Sequence, residues 1–197
     1  MKQTKITTSI VIVFIFITSC SYDSDESILR DEFKIPDSAE LVSFNVTPKE
    51  SGWFGREGLK IDAVFKFSKK DFEDCLASVK ESNEWLPLPI PRDFLIHMFS
   101  VKSAKEYRTK YYKEKNEPIP EEGSVYNPTE EQLLQAGIKI LPVTGPNGIF
   151  ILKAAGTDIM HAPKRTITKL DKDLNDFMLA ILDSDQKKLF IKVSTNY

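Results

Sequence analysis

The segment with the most chemical potential is Asp158-Ile-Met-His161-Ala-Pro163-Lys-Arg165. An imidazole with a carboxylate before it and two cations after it can serve acid–base chemistry or hold an anion. In a hydrolase His161 would be the general base and Asp158 its orienting group. A separation of three residues suits that pairing on a helix, whereas Gly156 and Pro163 argue for a loop. The plainer reading is a surface loop with a partly buried histidine.

A second set is Gly52-Trp53-Phe54-Gly55-Arg56, with Gly58 beyond it. Adjacent aromatics beside a guanidinium can stack on a sugar ring or a partner surface, and Trp53, Phe54 and Arg56 are the candidate binding contacts. The glycines are not a phosphate-binding fingerprint, because a strand rather than a helix follows them. The plainer reading is a loop whose aromatics fold back over a sheet edge. His97 sits between Leu95-Ile96 and Met98-Phe99, the setting of a packed core histidine. With two His and two Cys, neither a three-His catalytic zinc site nor a four-Cys structural one is available, and no metal or cofactor is implied. Gly-x-Ser-x-Gly, His-Glu-x-x-His and P-loop patterns do not occur.

The elements that would position these groups follow from periodicity. Val42, Phe44 and Val46 alternate with polar residues, and so do Leu59, Ile61, Ala63, Phe65 and Phe67; the two runs flank the Gly-bearing loop and predict a long-looped hairpin. Ser68 is placed to cap a helix with Asp71 at the acid position, and Phe72, Cys75, Leu76 and Val79 form one apolar stripe along it. Cys75 on that stripe, with no base beside it, reads as a buried thiol. Pro87, Pro89 and Pro91 predict an extended connection, with Pro91 opening a helix that buries Phe94, Leu95, Met98 and Phe99. The Lys- and Tyr-rich stretch 102–115, diluted by Glu106 and Glu114, reads as a solvated helix face, and 129–137 as a short helix with a Thr129 cap and a Gly137 stop. Ile138, Ile140 and Val143 before the turn 144–148, and 149–152 after it, predict a second hairpin. The apolar run 177–182, the turn 183–186 and alternating Leu189, Ile191 and Val193 predict a third, although Leu174, Phe177 and Ile181 also fit a helical face. The expected class is α+β: an antiparallel sheet of about six strands built from hairpins, with two or three helices mainly on one face.

Composition fits one ordinary domain of 197 residues, with 41% hydrophobic and 28% charged residues. A formal charge of −2 gives no support to nucleic-acid binding. The N-terminus is different in kind. Lys2 and Lys5 precede an apolar run over 10–17, and small residues end it. A helix of that length reaches only about 12 Å against a ~30 Å hydrocarbon core, so the pattern is a secretory signal and not a membrane span. Its last four residues, Ile17-Thr18-Ser19-Cys20, resemble the lipobox of bacterial lipoprotein precursors, with Ile where Leu is commonest. The resemblance covers residues 1–20 alone. It implies removal of 1–19, a diacylglyceryl group on the Cys20 sulfur and further acylation of the new amino terminus. Multiple chains at ~0.8 kcal/mol per buried CH₂ would anchor the protein firmly on the non-cytoplasmic side of a membrane. Ser21 in place of Asp is the residue that permits outer-membrane sorting in two-membrane cells; with one membrane, the domain would sit on the outer surface. Loss of Lys2 and Lys5 takes the formal charge from −2 to −4, so the lipid alone would carry attachment.

The expected organisation is a signal peptide at 1–19, an acylated cysteine with an acidic tether at 20–38, and a globular domain at 39–197. The expected function is a lipid-anchored cell-envelope binding module. Two alternatives stand beside it: an envelope hydrolase using His161 and Asp158, and an immunity or inhibitor protein that blocks a toxin or envelope enzyme through a broad exposed patch.

Overall fold

The computed structural model describes residues 24–48, 58–156, 158–170, 172–174 and 176–195. Cys20 and the lipobox-like segment 17–20, and the candidate contacts Trp53, Phe54 and Arg56, lie outside the described residues. The chain is α+β. Its antiparallel sheet has the order β1 (Glu40–Pro48), β2 (Leu59–Lys66), β7 (Lys188–Thr195), β6 (Asp176–Asp183), β4 (Gly148–Ala154), β3 (Leu86–Pro87), with the short β5 (Arg165–Thr166) also on β4. The expected β1–β2 and β6–β7 hairpins form, pairing Phe44 with Ala63 and Ala180 with Ile191.

Alternation along the strands gives the sheet two faces. Ile61, Ala63 and Phe65, Met178 and Ala180, and Leu189, Ile191 and Val193 point to the first. There they meet α1 (Asp25–Phe33) and α2 (Lys69–Glu81) through Leu29, Phe33, Phe72 and Val79. Phe150, Leu152, Phe177, Leu179 and Ile181 point to the second, under Phe94 and Met98 of α3 (Arg92–Met98). Helices α4 (Val101–Lys115) and α5 (Glu130–Ile138) pack against α3. The helices are therefore divided between both faces instead of gathering on one. Strand β6 is buried along its whole length, which is why 177–182 reads as an unbroken apolar run with no alternation.

Capping chemistry starts α2 and α5 where the sequence puts them. The Ser68 hydroxyl accepts from the Asp71 N–H at 3.2 Å and donates to its carboxylate at 2.8 Å. Thr129 and Gln132 form a reciprocal capping box on α5. Cys75 on α2 is half-buried, and burial pushes its thiol pKa up, so the thiolate nucleophile is disfavoured.

Three further expectations are corrected. The segment read as an acidic tether folds from Ser24 onward. Ser24 caps α1, and Leu29, Phe33 and Ile35 are buried in the first core. Glu32 joins Lys153 at 2.6 Å and Lys164 at 3.1 Å, so the body starts well before residue 39. Residues 138–143 are not a strand: Ile138 ends α5, Ile140 is exposed, and β4 pairs instead with β6 and β3. Gly137 does not stop α5 but lies inside it, because α3 crosses closely there; a Cβ would fall 2.3 Å from a ring carbon of Phe99.

Candidate functional site

Two clefts open on the second face of the sheet, on either side of the α3–α5 contact. The larger is an aliphatic groove of about 860 Å³. One lip is Leu88, Pro89 and Ile90, which the three prolines keep extended; the Leu88–Pro89 peptide is cis, and the Leu88 N–H donates to Gly148 O at 3.1 Å. The floor is Leu95 of α3, Ile138 of α5 and Ile181 of β6. The other lip is the loop 141–146.

That loop is held by a buried carboxylate. Asp183, at the end of β6, accepts the Gly145 N–H at 2.7 Å, the Asp185 N–H at 2.8 Å and the Gln186 N–H at 2.9 Å. Gln186 Nε2 donates both to Asp183 and to Val143 O. A carboxylate with this many donors is well satisfied despite full burial, and it makes the lip a fixed wall. Val143, presented on that lip, is 89% exposed. Of the groove's lining residues only Lys139 carries a charge, so the space suits an uncharged, largely hydrocarbon ligand.

The smaller cleft, about 500 Å³, has a polar floor of Lys60, Asp62 and Lys192. Strand alternation puts Lys192 opposite Ile191 and Val193, which from sequence alone is a solvent position; in the fold it is buried and lines the cleft together with Met98 and Phe99. No local pattern marks that approach.

No family model matches the chain, and no curated protein or solved structure matches it either. What the clefts bind follows from their own chemistry.

The sequence-derived candidates fall elsewhere. His161 Nδ1 stands 2.9 Å from Asp158 Oδ2, so the two do meet, in a turn closed by the His161 and Ala162 N–H groups on Asp158 O and not on a helix. The turn is anchored by Ile159 and Met160 in the first core. The pair itself is 57% and 59% exposed, and neither residue lines the two clefts. It has the orientation of a base with its orienting acid but no enclosed space for a substrate beside it in either cleft.

His97 is not a purely packed residue. Its Nδ1 lies 3.0 Å from Asp173 Oδ1, the other Asp173 oxygen accepts from Ser103 Oγ, and His97 O accepts from the Leu174 N–H. The serine contacts the aspartate and not the histidine, so the nucleophile–base contact of a triad is missing. The cluster clasps α3, α4 and the 173–174 segment together. Helix α4 has the expected solvated character, with Val101 its one buried residue. Among the described residues no group of three His, Cys, Asp or Glu is arranged to hold a metal, and no helix is long and apolar enough to cross a membrane.

Proposed function

We propose that the protein is a lipid-anchored binding module of the cell envelope that takes an uncharged apolar ligand, such as a length of hydrocarbon chain, in the groove between residues 88–90 and 141–146. The observation that carries this reading is the groove itself: aliphatic walls, a lip fixed by Asp183, and a volume in the range of small-molecule sites. The lipobox supports the anchor. Cys20 stands four positions before Ser24, so even a fully extended chain keeps the two within about 14 Å. The anchor would thus hold the folded body close to the membrane and not at the end of a long spacer. The Trp53–Phe54–Arg56 loop, a further candidate contact, joins the sheet beyond Pro48 and Leu59, whereas the groove lies near Gly148 and Asp183 at the other end of the strands.

The groove is tested with the neutral fluorophore N-phenyl-1-naphthylamine on residues 24–197. Wild type is expected to bind it with enhanced, blue-shifted emission. Leu95→Arg, which places a charge on the floor, is expected to weaken binding at least about tenfold, or ~1.4 kcal/mol. Val143→Asp, on an exposed lip, tests the same space without touching the core. No enhancement in wild type, or wild-type affinity in both variants, removes the groove as the site.

The inhibitor alternative is favoured by one separate observation. Tyr107, Tyr111, Ile119, Val125 and Tyr126 are all large and exposed within a short span of chain. A stoichiometric complex that protects this patch, formed by a protein that leaves the fluorophore unbound, would favour inhibition over ligand carriage.

A further inference from the structure

The second face of the sheet is covered unevenly. Helix α3 lies over β4 and β6, whereas Asn45 and Thr47 of β1 and Lys60 and Asp62 of β2 remain exposed. The smaller cleft marks the boundary. Its floor comes from the cross-strand pair Asp62 and Lys192, with Lys60 on the diagonal, and its wall from Met98, Phe99 and Phe177.

Lys192 is the unusual residue. It is only 7% exposed, yet it is a lysine on a strand where a methionine would fill the same space. Its Nζ lies 2.8 Å from Asp62 Oδ1. Among the described residues this is its one hydrogen-bond partner, while an ammonium has three N–H groups to place. The Asp62 side chain is itself 54% exposed and therefore shares its charge with water. An ammonium in this position is under-compensated, and its remaining donors lie in a cleft with apolar walls. Lys60 and Lys192 against Asp62 leave one net positive charge, which matches a monoanion better than a dianionic phosphate.

We infer that this cleft is a binding site for a carboxylate carrying an apolar group. The carboxylate sits on Lys192 and Lys60, and the apolar group packs on Met98, Phe99 and Phe177. The cleft shares no residue with the aliphatic groove, so this inference stands apart from the groove reading.

The test is calorimetric titration of the full chain with 3-phenylpropionate, using 3-phenylpropanol as the uncharged counterpart. Wild type is expected to bind the acid at least tenfold more tightly than the alcohol. Lys192→Met is expected to abolish the preference without lowering the melting temperature, because an apolar isostere replaces a poorly compensated charge. Asp62→Asn is expected to tighten binding of the acid at least threefold, since the anion no longer competes with a resident carboxylate. The same variant should give a larger ligand-induced rise in melting temperature than wild type. The inference is overturned if the acid does not bind, if acid and alcohol bind alike, or if Asp62→Asn weakens the acid. The last outcome remains decisive even if Lys192→Met fails to fold.

Discussion

A chain cut to begin at Ala39 is expected to be unfolded, or molten with no cooperative transition, under conditions where a chain beginning at Ser24 melts sharply. The cut removes Leu29, Phe33 and Ile35 from the first core, which they share with Ile61, Phe65 and Ile159. It also removes Arg30, whose guanidinium lies 4.7 Å from the Phe65 ring centre and donates to Pro36 O and Ala39 O. Three buried apolar side chains at ~1.5–3 kcal/mol each amount to roughly 5–9 kcal/mol, an upper estimate that is comparable to the whole stability of an ordinary domain. Circular dichroism melts of the two fragments check this. Midpoints within a few degrees of one another would mean that α1 is an appendage, as its acidic composition suggests, and not part of the core.

The second large effect is expected at Glu32. This carboxylate bridges Lys153 and Lys164, and Lys164 also donates to Met160 O and Ala162 O. Burial alone would raise the Glu32 pKa, but the hydrogen bonds and charges of Lys153 and Lys164 outweigh it and hold the group below its ordinary value of 4.5. A depressed carboxylate contributes stability that is complete above that ordinary value and is lost as pH falls through the folded-state value. Glu32→Ala leaves two largely covered ammonium groups without their partner. At neutral pH it should cost about 3 kcal/mol, the low end for breaking a buried pair, because Glu32 keeps some solvent contact. For a domain of this size that is a fall of about 6–12 °C in melting temperature. Melting wild type and Glu32→Gln from pH 7 to pH 3 separates out the linkage. The gap between them should be wide above pH 4.5 and narrow below it, and a gap independent of pH would contradict the assignment.

What the sequence made legible depended on how local the causes were. Strand β2, the β6–β7 hairpin and helix α2 follow from alternation, a turn or a cap with an apolar stripe, each contained within one short stretch of chain. Helix α1 escapes a local reading because its apolar stripe is thin and its acids numerous; what supports it is the distant core, including Ile61 and Phe65, that Leu29 and Phe33 join. The alternation of Ile138, Ile140 and Val143 imitated a strand by chance of spacing: Ile138 closes α5, and Ile140 and Val143 lie in the loop that follows it. Lys192 is the converse case: its polar position in an alternating strand is correct, and its burial in the cleft beside Met98 and Phe99 comes from residues distant in sequence. His161 and Asp158 show that a turn can deliver the spacing expected of a helix. The Trp53, Phe54 and Arg56 contacts lie outside the described residues, and the groove variants do not bear on them.

The central claim, a folded body held at a membrane by acylation of Cys20, is tested most directly by the intact mass of the protein recovered from cells, with fatty-acid labelling of wild type and Cys20→Ala. The account predicts a wild-type chain that begins at Cys20, is heavier than its sequence by the acyl groups and carries the label, and an unlabelled Cys20→Ala protein that no longer sediments with membranes. A wild-type chain that retains Met1, or one that begins at Cys20 with an unmodified thiol, would contradict it.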